Sequence, residues 1–360
     1  MFFLGVLSSL LALGLYASSA QAECTNPSVR REWRTFNSDE KAAWISAVKC
    51  LNALPHDENL SPTVAQSISD IPSVNTSGSY YDDFVYMHMD LNTRIHYTGL
   101  FLPFHRWYIS VYESALKNKC GYAGVSPYWN WSTDATAFFE SPFWSDSNSS
   151  SGIGGWGDPN KDFAVPDGAF SDFHLSYPSP HTLRRNFTMQ PYIGLDPTLF
   201  TDPTQVVNTS FTESEVSYML NNFEGDFKGF QKYFEAFEGA HGGVHVSMGG
   251  DLGGVCPSNA PPGCTSGATF SANEPLFWMH HAMVDKVWYD WQHKSEKNFW
   301  AFEGGSVQSN ANASIYSQYP NGAPPALDFN STMPTDGLFD QATVYDVFNT
   351  TSGILCYVYE

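Results

Sequence analysis

The chain reads as a mainly α-helical domain with long irregular loops and short strands. Three observations predict this. Apolar residues recur at helical spacing in five separate stretches. The segments between them are long and rich in Gly, Ser, Pro and Asp, which suits loops. Eight of the eleven histidines fall inside the helical stretches, seven of them in apolar surroundings. With 360 residues and 42% hydrophobic content there is material for a large core. No internal repeat or charged linker divides the chain, so a single domain over residues 23–360 is expected.

The elements follow in order. Residues 1–22, MFFLGVLSSLLALGLYASSAQA, read as a signal peptide ending in the small-residue site Ala20-Gln21-Ala22. No Lys or Arg precedes the apolar run, so only the amino terminus supplies positive charge. The competing reading, a membrane anchor, is disfavoured because the run is short for a span. Residues 38–53 predict a helix capped by Asn37 or Ser38, with Ala42, Trp44, Ile45, Val48 and Leu51 on one face. Residues 80–97 and 104–119 predict two more, with Pro103 just ahead of the second, where proline is tolerated. Residues 132–182 predict irregular loops. Helical pattern returns over 211–246, a Gly/Pro-rich loop over 247–273, and a long helix over 274–293. Beyond residue 300 the chain is polar, closing on the strand-like ILCYVY.

Composition excludes some roles. A net charge of −20 repels phosphates and argues against nucleic-acid binding, and no second segment is apolar enough to cross a bilayer. Secretion is expected on two further grounds. Nine N-x-S/T sequons occur, at Asn59, Asn75, Asn130, Asn148, Asn186, Asn208, Asn312, Asn330 and Asn349. The one in PYWNWS, at Asn130, is expected to be too buried for a glycan. Six cysteines behind a leader suggest three disulfides, for which fifteen pairings exist. The favoured set is Cys24–Cys356, Cys50–Cys120 and Cys256–Cys264. A cysteine metal site is the competing reading, but no C-x-x-C spacing appears.

The histidines carry the chemistry. His88, His96 and His105 fall in YMHMDLNTRIHYTGLFLPFHRWYISVYESAL. His241 and His245, four apart in EGAHGGVHVSMGG, share a helical face. His280 and His281 are adjacent in FWMHHAMVDKVWYDW. Buried imidazoles need partners, and metal coordination satisfies many at once. No carboxylate or thiolate stands convincingly among them, which argues against magnesium, calcium and iron–sulfur chemistry. One histidine triad would leave a zinc-dependent hydrolase open; two triads suit copper. Scattered core histidines bonded to backbone are the bland alternative.

The spacing resembles that of the tyrosinase / catechol oxidase (polyphenol oxidase) family of type-3 copper proteins, most closely its short secreted fungal branch. The resemblance spans nearly the whole mature chain and includes PYWNW at 127–131, VPDGAF at 165–170 and the terminal Tyr357-Val358-Tyr359. It implies a four-helix-bundle core around a dicopper centre. It assigns one copper to His88, His96 and His105, which Arg106 follows. It assigns the other to His241, His245 and His281, with Asp285 trailing, and leaves His280 as a neighbour bonding elsewhere. The chain stops just after the Y-x-Y motif, so no C-terminal shielding domain is expected. It departs from the family pattern at Glu274-Pro275, where Asp-Pro is usual, and at Arg94, where many relatives carry a cysteine crosslinked to a histidine. No thioether is therefore expected.

The implied reaction is oxidation of o-diphenols (catechols), extending to o-aminophenols, to o-quinones. Two copper ions and O2, reduced to water, serve as cofactor and co-substrate. Small phenols and O2 are the expected partners, with no nucleic acid and no membrane. Gly242 follows His241 where many monophenol-hydroxylating relatives have Asn, which orients a water that takes the phenol proton. Glu238 is the remaining carboxylate for that role, or an ordinary helix-surface Glu. Val246 is expected in the pocket wall, and Ala268 at a position where bulkier residues gate some relatives. The alternatives are a full tyrosinase that also hydroxylates monophenols, and a hemocyanin-like O2 carrier.

Overall fold

The structure is a computed structural model that describes residues 24–64, 71–190, 192, 200, 202, 204–310 and 312–360. The expected leader lies outside them. Helix α1, Ser38–Leu51, starts at a reciprocal cap: Asn37 accepts from the Asp39 and Glu40 N–H groups, and Glu40 accepts from the Asn37 N–H. Helix α2, Tyr80–Ile95, starts the same way at Ser79 and Asp82. It is buried continuously from Tyr80 to Leu91, the mark of a helix packed on every side.

Helix α3, Phe101–Cys120, begins three residues earlier than the sequence suggests. Pro103 therefore sits inside the first turn, where its missing N–H has no helical acceptor to lose. Gly121 ends the helix in the left-handed conformation, φ 68°. The helical stretch over 211–246 divides into α4, Glu213–Asn222, α5, Phe227–Glu235, and α6, Ala240–Met248. Gly225, at φ 72°, turns the chain between the first two.

Helix α7, Leu276–Gln292, is buried without a break from Leu276 to Asp285. Glu274 supplies its start in place of the usual Asp: one carboxylate oxygen accepts from the Leu276 N–H, and the pair grips Arg185 at 2.8 and 2.8 Å. Three short helices follow, α8 Glu296–Phe299, α9 Ala313–Gln318 and α10 Val344–Phe348. Helices α2, α3, α6 and α7 form the core that positions the histidines, with α3 and α7 packed against each other. This is the mainly α architecture expected, with long loops between helices and only short strands.

Strand β1, Ser28–Arg30, is followed by the hairpin of β2, His174–Leu175, and β3, His181–Thr182, and by that of β4, Gly305–Val307, and β5, Ala323–Ala326. Strand β6, Tyr357–Tyr359, lies parallel to β1, with Val29 opposite Val358. The strand-like tail thus returns to the first strand of the described chain. The three disulfides are Cys24–Cys356, Cys50–Cys120 and Cys256–Cys264, the favoured pairing. No cysteine is free, so a thioether to histidine has no donor. Asn130 is half-buried, whereas Asn59, Asn148, Asn312 and Asn330 are exposed.

One buried carboxylate gathers these elements. Asp285 on α7 accepts from Arg106 on α3 at 2.5 Å and from the Tyr357 and Tyr359 hydroxyls on β6 at 2.5 and 2.7 Å. Arg30 on β1 approaches it at 3.4 Å and bonds Glu113 at 3.0 Å. Such a group is satisfied only as a whole, because each ion lacks water to fall back on.

Candidate metal centre

Four core elements deliver seven imidazoles to one place. His88 comes from α2, His96 from the residue that ends it, and His105 from α3. His241 and His245 come from successive turns of α6, and His280 and His281 from α7. All seven are at most 5% exposed. They fall into two groups, each with ligand atoms within 4.8 Å of one another: His88, His96 and His105, and His241, His245, His280 and His281. The groups adjoin. His105 and His281 stack with ring centres 4.3 Å apart, and His96 lies 6.1 Å from His241.

Local structure sets the ring orientation. The Nδ1 atom of His105 donates to the Phe101 carbonyl, one turn back, at 2.7 Å, and that of His96 reaches the Asn92 carbonyl at 3.3 Å. The Nδ1 of His88 donates to Thr269 at 2.7 Å, in the 3-10 helix Ala268–Asn273, and that of His245 to Leu252 at 2.7 Å. A carbonyl partner makes Nδ1 the protonated nitrogen and leaves the lone pair on Nε2. The Nε2 atoms of His88, His96 and His105 are buried without a partner among the described residues. The His241 and His245 Nε2 atoms face each other at 3.2 Å.

Burial also keeps the rings neutral. It pushes His88 and His245 down to about 4, and the other five in the same direction. Neutral nitrogen donors, no carboxylate or thiolate among them, and converging orphaned lone pairs are what soft-to-borderline transition metals require. The residues therefore fit a pair of copper ions.

The adjacent pair behaves differently from expectation. His281 and His280 both lack a partner at either nitrogen, so the expected hydrogen bond from His280 is not made among the described residues. The reason is its packing: His280 lies 4.7 Å from His245 and 5.4 Å from His241, ring against ring, inside the same group. His281 alone of the two stacks on His105 and so faces the first group.

The other expected residues take these places. Gly242 is half-buried behind His241. A Cβ there would stand 2.9 Å from the Phe237 carbonyl oxygen, closer than real side chains come, so a larger residue needs the backbone to move. Glu238 is half-buried with one carboxylate oxygen unpartnered among the described residues, and its charge adds to burial in raising the Tyr192 phenol. Val246 is half-buried one residue beyond His245. The Ala268 side chain lies outside the description. Phe277 and Phe101 were not anticipated. Phe277 sits 4.2 Å from His281 and 5.0 Å from His88, and Phe101 4.7 Å from His241. Each stands four residues before a site histidine, so helical spacing was the available signal.

Comparison with known proteins bears on this site. The family model described as the common central domain of tyrosinase matches residues 78–294, which contain all seven imidazoles. A tyrosinase-like protein of Diaporthe leptostromiformis is 30% identical over 380 residues, covering 97% of this chain and 84% of its own length. An N-acetyl-6-hydroxytryptophan oxidase of Emericella nidulans is 27% identical, covering 99% of this chain and 100% of its own. Among solved structures, a polyphenol oxidase from Thermothelomyces thermophila shares the fold, with a TM-score of 0.68, 23% identity, and coverage of 95% of this chain and 91% of that one.

Proposed function

The chain belongs to the tyrosinase family of dicopper oxidoreductases, and from that premise we infer that it oxidises o-diphenols, extending to o-aminophenols, to o-quinones with reduction of O2 to water. The observation that carries this reading is the convergence of two groups of neutral, buried imidazoles, five of which keep a ring nitrogen without a partner among the described residues. His88, His96 and His105 would hold one copper, and His241, His245 and His281 the other. Copper supplies the binding of O2 and the exchange of two electrons with the substrate. The chain supplies the rest. The Thr269, Phe101 and Leu252 carbonyls hold the Nδ1 protons and aim the opposite nitrogens inward. Phe277 and Phe101 exclude water from the rings.

Gly242 supports oxidation of diphenols over hydroxylation of monophenols. It offers no side chain to orient a proton-accepting water, and the Phe237 carbonyl obstructs one. Glu238 is the remaining base for that proton. Val246 would form part of the substrate wall. A second reading, oxidation of a hydroxylated indole, draws support from the Emericella relative, whose name states such a substrate. Three disulfides and exposed sequons support an extracellular enzyme.

Oxygen uptake by copper-loaded protein tests this reading, with a catechol, its matching monophenol and a hydroxyindole side by side. Rapid uptake with the catechol alone is expected. Uptake with none of them, at two coppers per chain, sinks it. Gly242→Asn is expected to lower stability by ~1–3 kcal/mol through the Phe237 contact. A folded variant should gain monophenol turnover, and no gain refutes the role given to Gly242.

A further inference from the structure

We propose that Glu235 is a positioning residue for His96, acting as a backbone clamp that fixes this imidazole for copper. His96 is the only histidine of its group outside a helix. It follows the last residue of α2, in extended conformation, φ −120° and ψ 141°. Its own Nδ1 meets Asn92 only at long range, 3.3 Å from the carbonyl and 3.2 Å from the side-chain amide nitrogen. The ring therefore depends on the backbone that follows. The next residue, Tyr97, has φ 53°. A bulky residue takes that left-handed conformation only where its surroundings hold it there.

Those surroundings come from α5, far away in sequence. The Tyr97 N–H donates to Glu235 Oε1 at 2.6 Å. Gln231, one turn earlier on the same helix, donates to Glu235 Oε2 at 2.9 Å and to the Thr98 carbonyl at 2.7 Å. Glu235 and Gln231 are 2% and 0% exposed. Residues 97 and 98 are thus gripped in tandem by one buried helical turn. Gln308 closes the other side, donating to the His96 carbonyl at 3.0 Å. The Tyr97 ring stacks on Phe237 at 4.9 Å. Among the described residues Glu235 bonds the Tyr97 N–H and Gln231 and no imidazole, so its action on the metal passes through Tyr97. No cysteine is available to tether His96 covalently, and this clamp does that work with hydrogen bonds.

The inference rests on the copper reading above, and the test separates the two. Glu235→Leu removes the acceptor for a buried N–H. Glu235→Gln keeps a carbonyl oxygen in its place. Copper loss to a chelator is followed in holoprotein, alongside hydrogen exchange of the Tyr97 amide in apoprotein. Glu235→Leu is expected to lose one of two coppers ~10–100-fold faster than the wild type, with the Tyr97 amide exchanging freely. Glu235→Gln should stay near wild type on both counts. If Glu235→Leu does not fold, Gln231→Leu carries the same expectation in weaker form. Wild-type copper retention with a protected Tyr97 amide overturns the clamp. A wild-type protein that binds no copper overturns the copper reading instead, and amide exchange alone then decides the clamp.

Discussion

At the scale of single residues, environment decides what each titratable group does. The pair His280 and His281 shows this. Both are fully buried and neither imidazole has a hydrogen-bond partner among the described residues, yet only His281 stacks on His105. His281→Ala is expected to lose one copper of two and to lower oxidase turnover by ~1000-fold or more. His280→Ala should keep both coppers and cost about 1–3 kcal/mol of stability. Metal analysis of the two variants decides, and the reverse pattern would move the ligand to His280. Asp336 offers a second case. Burial, and then the charge of Asp90, push its carboxyl up to about 7. A carboxyl raised above its unfolded value stabilises the fold at low pH and loses that contribution as pH rises through 7. Asp336 also sits at φ 44°, which Asn tolerates well. Asp336→Asn should therefore raise the melting temperature, by more at pH 8 than at pH 5, and an equal shift at both would refute the assignment.

At the scale of elements, helix α7 is held from its polar side by Asp285. Asp285→Asn leaves Arg30 and Arg106 buried without their shared countercharge, an expected loss of ~3–5 kcal/mol in thermal unfolding. Tyr359→Phe removes one donor and should cost only ~1 kcal/mol. Similar losses for the two would mean that the hydroxyls, not the charge, hold the helix. This hub also marks where reading the sequence succeeds and stops. Helices α1, α2, α3 and α7 were legible because their apolar faces repeat every three to four residues. The three-way division of 211–246 was not, since it depends on Gly225 and on how the turn before α6 packs. That the histidines of these stretches gather into two groups was legible through spacing and resemblance. The packing of His280 was not, because its neighbours are rings from another helix. Glu235 was invisible for the same reason: its partner is a backbone N–H 138 residues away.

At the scale of the molecule, the described chain closes on itself. The Cys24–Cys356 disulfide spans 332 residues, and β1 and β6 pair beside it. In the loop-entropy account such a crosslink contributes on the order of 5 kcal/mol. A Cys24→Ser, Cys356→Ser double variant should melt several degrees lower, while an unchanged midpoint would show that the strand pairing alone holds the seam. The seam also reaches the interior. From Tyr359 it passes through Asp285 to the turn of α7 that follows His281, and through Arg106 to the residue beside His105. Opening it is therefore expected to loosen both halves of the metal centre together. Bound copper becomes a gauge of the molecule's integrity: a reduced or clipped protein should leak metal before it visibly unfolds, and a fully loaded one should still have its β1–β6 seam closed.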